Sequence, residues 1–214
     1  MILNLQPDLA SLWTNIRKSY KSLINGILKS SDYKLVFVDK NDPDYSINEK
    51  YRLLHVKAAG RETRPKSTFD LQFELVKQGK ALIAGLMYKN NFVAFNYFLF
   101  HQNTVVYMSA SDDPDYAAQK IPFYHATLWA SIQHLKSQGL EYMQLSSPAS
   151  SQLVEGFIDY SDSKQLDISF FKKGMGAKQV PFNRGIKYYK KELFLADLEK
   201  FKSAVIENHF NRQF

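Results

Sequence analysis

The sequence predicts a single α+β domain over residues 1–214, with a mixed, mostly antiparallel sheet flanked by helices. Three observations carry that expectation. Amphipathic helical runs and strand-like runs alternate irregularly along the chain, without a repeat, a low-complexity tract or a Pro/Gly linker. Three strand-like runs follow one another directly in the middle, joined by short corners. A further strand is joined to the last of them through a helix, which makes those two parallel neighbours.

Taken in order, Leu12, Ile16, Tyr20, Leu23, Ile24 and Ile27 recur at helical spacing, so 9–29 reads as an extra N-terminal helix. "YKLVFVD" (33–39) alternates as a strand, and "NDPDYS" is a loop. Tyr51, Leu54, His55 and Ala58 share a helical face that stops at Gly60. Ser67 starts the next helix, with Asp70 three residues on as in a capping box, and Phe69, Phe73 and Val76 forming its apolar face before Gly79.

Residues 80–89, 92–102 and 104–111 form the meander, with corners at Asn90-Asn91 and Asn103, residues that tolerate left-handed backbone. A loop at 112–122 leads to a helix over 124–139, closed by Gly139. "YMQLSS" (142–147) is the helix-connected strand. A polar stretch, 148–164, precedes a short helix over 166–173, a late strand over 185–195 and a C-terminal helix over 197–210.

Composition narrows the chemistry. Of 214 residues, 45% are hydrophobic and 14% aromatic, which suits a packed core and argues against disorder. The absence of cysteine excludes disulfides, thiolate metal sites and a Cys nucleophile. No apolar run approaches the ~20 residues of a spanning helix, and the N-terminus lacks the pattern of a signal peptide. The expectation is a cytoplasmic protein without stable membrane insertion. The net charge of +7 favours anionic partners, although the lysines are scattered rather than blocked.

"LHVKAAGRETRPKSTFDLQ" (54–72), "VVYMSASDD" (105–113), "HATLWASIQHLKSQG" (125–139) and "ISFFKKGMGA" (168–177), together with "RKSYKSLIN" (17–25), resemble the Fem-type branch of the GNAT acyltransferases. The likeness runs over roughly residues 9–195, and it is similar in particular to Fem-related proteins of cell-surface sugar biosynthesis. It implies a GNAT-like sheet and an N-acyltransferase that moves an acyl group from acyl-CoA to an amino sugar or cell-envelope precursor. Aminoacyl transfer from aminoacyl-tRNA is the alternative, and a non-catalytic binding protein is a third. The acceptor would be a small or nucleotide-linked molecule, and no metal is implied. Two departures stand out. Fem proteins carry two such domains, and this chain has room for one. The glycine-rich pyrophosphate loop of the superfamily is replaced by "DDPDYAAQKIPFY", which has no glycine.

In the fold so implied, the acyl donor lies where the strands at 104–111 and 142–147 part. Val106, Ser109 and Met143 are then expected at the donor, and Ser146 opposite Asp112 on the acceptor side. Asp112 is a candidate base if burial raises its pKa, or else a turn cap. Tyr107 is either core or a proton donor to the leaving group, and His125, which opens a helix on the same rim, is a catalytic candidate or else a structural or surface histidine. Lys172, in the Fem-like Phe-Lys pair, is implied at the donor; otherwise it satisfies helix-terminal carbonyls. Arg61 and Arg64, between a Gly60 stop and Pro65, suit a phosphate or carboxylate of the acceptor, or else pair with Glu62 or Asp70 as a lock.

Overall fold

A computed structural model describes residues 1–119, 121–145, 163–180 and 186–211. They fall into two compact units, one from Met1–Ser146 and Gly174–Lys178, the second from Ser147–Lys173 and Gln179–Phe214.

The first unit is built on a six-stranded sheet. Its strands are β1 (Ile2–Asn4), β2 (Tyr33–Val38), β3 (Ala81–Tyr88), β4 (Asn91–His101), β5 (Thr104–Asp112) and β6 (Tyr142–Gln144), and their spatial order is β1-β6-β5-β4-β3-β2. Every pairing is antiparallel except β5 with β6, which is parallel as the helical connection requires. The predicted meander is therefore present. Its left-handed residues are Lys89 and Asn90 at the first corner and Gln102 at the second.

Helices cover both faces. On one, α3 (Tyr45–Ala59) and α4 (Lys66–Lys77) pack Tyr51, Leu54, Phe69, Phe73 and Val76 against Ile83, Phe95 and Tyr97. On the other lies α5 (Phe123–Ser137), whose Phe123 and Ala126 join Leu86, Ala94 and Ile27 of α2 (Lys18–Leu28). Burial of such side chains contributes about 1.5–3 kcal/mol each.

Three expectations need correction. The predicted helix over 9–29 is two helices, α1 (Leu9–Asn15) and α2, because Ile16 is extended and the Arg17 N–H donates to the Gly174 carbonyl at 2.8 Å. The Ser67–Asp70 capping box does not form. α4 begins at Lys66 after Pro65, and Asp70 binds Lys66 and the Tyr45 hydroxyl instead.

The late strand over 185–195 is absent among its described residues. Residues 186–190 are irregular and α7 (Lys191–Asn211) begins at once. The stretch Lys191–Leu198 is rich in helix formers, and the Tyr188 hydroxyl donates to Asp197 Oδ2 at 2.8 Å within the same unit. The sheet edge beside β6 is taken by β1, which no periodicity announced: Ile2, Leu3 and Asn4 pair with Gln144, Met143 and Tyr142.

The second unit contributes α6 (Ser163–Gly174), which matches the short helix expected over 166–173, and α7.

Candidate active site

The site begins where β5 and β6 stop pairing. Thr104, Val105 and Val106 face Tyr142, Met143 and Gln144, and β6 ends there. β5 runs on to Asp112, and among the described residues its edge from Tyr107 onward has no strand partner on the β6 side. Unpaired backbone N–H and C=O groups on such an edge can receive an extended ligand. Val106 closes the paired segment, Ser109 is half-buried beyond it, and Met143 is fully buried within β6. Ser146 lies outside the described residues.

A bulge decides which side chains the open segment presents to each face. Tyr97 pairs with Ser109, but Phe98 pairs with Tyr107, so Met108 is an extra residue in β5. Past it, Ala110 and Asp112 share the α5 face with Tyr107, Asn96 and Ala94, while Ser109 and Ser111 share the α3–α4 face with Phe95 and Tyr97. Met108 itself is 53% exposed.

On the α5 face, Asp112 sits at the uncapped N-terminus of α5, where the Tyr124 backbone N–H donates to its carboxylate. Its Oδ1 is buried without a hydrogen-bond partner. Desolvation outweighs that one donor and pushes its pKa up to about 8. The Tyr107 hydroxyl donates to Asn96 Oδ1 at 3.1 Å, and burial raises its pKa well above the phenol range. Tyr124, 39% exposed, is pushed up to about 12 by burial and then by the nearby Asp112 charge. His125 packs edge-on against Tyr20 at 4.3 Å between ring centres, and its pKa is lowered by burial. Asp112, Tyr107 and His125 thus lie on one side of the sheet.

The two arginines lie on the opposite side, in the α3–α4 connector. Arg61 is exposed and makes no ion pair or hydrogen bond among the described residues. Arg64 binds neither Glu62 nor Asp70. Its Nη2 lies 2.7 Å from His55 Nε2, and its guanidinium stands 5.4 Å from the centre of the Phe69 ring. Burial lowers the His55 pKa, and Arg64 adds to that effect, so His55 accepts the bond as a neutral ring. Beneath them the Tyr51 hydroxyl lies by Ser109 and Gln72 without a well-formed hydrogen bond.

Beyond Asp112 the chain forms a short 3-10 helix, Pro114–Gln119. Lys57 of α3 pairs with Asp113 at 2.6 Å and Asp115 at 2.7 Å. These groups and Lys50, Leu53, Asn91 and Phe92 line an open groove of about 740 Å³. Two carboxylates and no glycine stand where a diphosphate-binding loop would be, so this connection is a poor fit to the diphosphate of CoA.

In the second unit, Lys172 occupies the last turn of α6 and is buried, and desolvation lowers its ammonium pKa. Lys173 is exposed. Among the described residues no cluster of His, Asp and Glu could hold a metal ion, and no helix is long and apolar enough to cross a membrane.

No protein-family model matches the chain, and no curated protein does. Among solved structures, FemX superposes with a TM-score of 0.63 at 11% identity, over 82% of this chain and 57% of FemX. The fold is GNAT-like. The chain spans little more than half of FemX's length. An aminoglycoside N-acetyltransferase solved with CoA gives a TM-score of 0.49 at 13% identity, over 76% of this chain and 97% of its own. L-PGS from Bacillus licheniformis gives 0.47 at 15% identity, over 68% and 45%.

Three residues of the candidate site escaped the sequence reading. Asn96 interrupts the apolar run Val93–Phe98, a signal that was available. Tyr124 and Tyr51 carried none, since an aromatic residue on a helix reads first as core.

Proposed function

We propose that the protein is an N-acyltransferase in which Asp112 is the general base. The observation that carries this reading is a desolvated carboxylate with one unpartnered oxygen at the open end of a split parallel strand pair. A base poised near neutral pH takes a proton from an amine as it attacks, and its pKa of about 8 suits that task. The amine nitrogen bonds to the acyl carbon, the bond from that carbon to the leaving oxygen or sulfur breaks, and the amine proton passes to Asp112. Tyr124, exposed beside Asp112, supplies a proton to the leaving group and recovers one from Asp112. Arg61 and Arg64, on the α3–α4 side, hold an anionic group of an acceptor that reaches Asp112 round the open β5 edge, such as the phosphate of a phosphorylated or nucleotide-linked amino sugar. Lys172 serves the donor.

Acyl-CoA and aminoacyl-tRNA are the two donor classes. The acyl arm of CoA suits the open β5 edge, but its diphosphate would meet Asp113 and Asp115. The net charge of +7 favours a polyanion such as aminoacyl-tRNA. A phenol near 12 also matches an alkoxide leaving group better than a thiolate. Thermal-shift measurements with CoA thioesters, nucleotide sugars and aminoacyl-tRNA discriminate the readings. A ligand at a hundred times its Kd stabilises by about 2.7 kcal/mol. A shift with an aminoacyl-tRNA alone supports the ester reading, and one with acyl-CoA supports the thioester. No shift with any donor leaves a non-catalytic binding protein.

A further inference from the structure

We propose that Asn96 is a positioning residue for Asp112: its Tyr107-held amide and the Asp112 carboxylate bind one internal water between them. This rests on the reading of Asp112 as the base.

Asn96 lies in the middle of β4, only 1% exposed, within an otherwise apolar run from Val93 to Phe98. Buried polar side chains in a packed interior are ordinarily satisfied. Thr127 and Ser131 on α5 are, each donating to the carbonyl one turn back, at 2.8 and 2.7 Å. Asn96 is different. Its Oδ1 accepts from Tyr107, which fixes the plane of the amide, and its Nδ2 has no partner.

The register sets what lies opposite. Asn96 pairs with Ala110 and Ala94 pairs with Asp112, so Asn96 and Asp112 are diagonal neighbours on one face. The two residues completing that square are alanines, whose methyl groups fill little space. One corner therefore carries an unpartnered donor and the other an unpartnered acceptor, Asp112 Oδ1. Neither atom has a hydrogen-bond partner, so the two do not bond one another directly. A water that accepts from Asn96 and donates to Asp112 satisfies both. It stabilises the ionised carboxylate and keeps the base from being locked in its neutral form by burial. Among the described residues, the titratable groups on the Asp112 side of the sheet are Tyr107 from its own strand and Tyr124 and His125 from α5, the phenols raised and the imidazole lowered by burial.

The test does not need a substrate. The Asp112 carboxyl is titrated by carbon-13 NMR in the full chain, with its resonance assigned by Asp112→Asn. In Asn96→Leu the amide donor is replaced by a group of similar size, and the midpoint should rise by about one pH unit or more. Tyr107→Phe, which frees the amide to rotate, should move it the same way by less. Unchanged or lower midpoints in the folded variants overturn the proposal, and Tyr107→Phe carries the test if Asn96→Leu does not fold. If the midpoints rise but Asp112→Asn keeps full transfer activity, the base assignment fails while the Asn96 arrangement stands.

Discussion

Asp112→Asn separates catalysis from stability, because the two should move in opposite directions. In the folded protein the carboxyl titrates near 8, against an ordinary value of 3.8. Below pH 3.8 both folded and unfolded chains hold the proton, and the group has no effect. Above it the unfolded chain loses the proton while the folded one keeps it, so stability falls as pH rises, until the folded carboxyl ionises near 8. About four pH units at about 1.4 kcal/mol each set an upper limit of roughly 6 kcal/mol. Solvent screening at the partly exposed residue lowers this, and a net effect of about 2–4 kcal/mol is expected. The asparagine cannot ionise. Urea unfolding at pH 5, 6, 7 and 8 should find it progressively more stable than the wild type. Transfer activity should fall about 10²–10⁴-fold. The wild-type rate should climb tenfold per pH unit below about 8, since only about a tenth of the carboxyl is ionised at pH 7. Parallel stability profiles for the two proteins would show that the carboxyl is not desolvated. Activity within a few-fold of wild type would remove Asp112 from the chemistry.

Arg64→Ala should lower kcat/KM for the acceptor by about tenfold or more, the loss of one charge-assisted hydrogen bond. The Tm should barely change, and the His55 ring should titrate higher once the guanidinium that depresses it is gone. Retained activity with early melting would make the arginine a clamp on His55. Lys172→Met should fold normally and lose most transfer activity in a steady-state assay, whereas exposed Lys173→Met should match the wild type. Full activity in Lys172→Met would return this lysine to a helix-end role.

Much of the sheet was legible because its signals are local. Alternation marked β2 to β5, and the helix over 124–139 dictated the parallel β6. β1 was not legible: three residues carry no period, and they become a strand only because the β6 edge is open to them. The expected strand at 185–195 failed for the converse reason. Its β-prone tyrosines precede a run of Lys, Glu, Leu and Ala that prefers a helix. At the site, Asp112 could be named but its environment could not, because desolvation depends on α5 packing over it. Asn96 was passed over although a buried amide in an apolar strand ordinarily requires a partner. The partner anticipated for Arg64 was an acid. His55, one helix turn before Ala58, is brought to it by the left-handed Gly60, at φ 67°.

The extra residue at Met108 has a consequence for how tolerant this strand is of change. Side chains alternate along β5, so the bulge reverses their order for every position after it. Deleting Met108 would restore regular pairing and leave Asp112 opposite Ala94 on the α5 face. A deletion between Ser109 and Ser111, with the bulge kept, would instead set Asp112 opposite Phe95 and carry it through the sheet to the side of Tyr51. Conservative point substitutions between Tyr107 and Asp112 leave the parity of the site intact; single-residue deletions and insertions past the bulge break it.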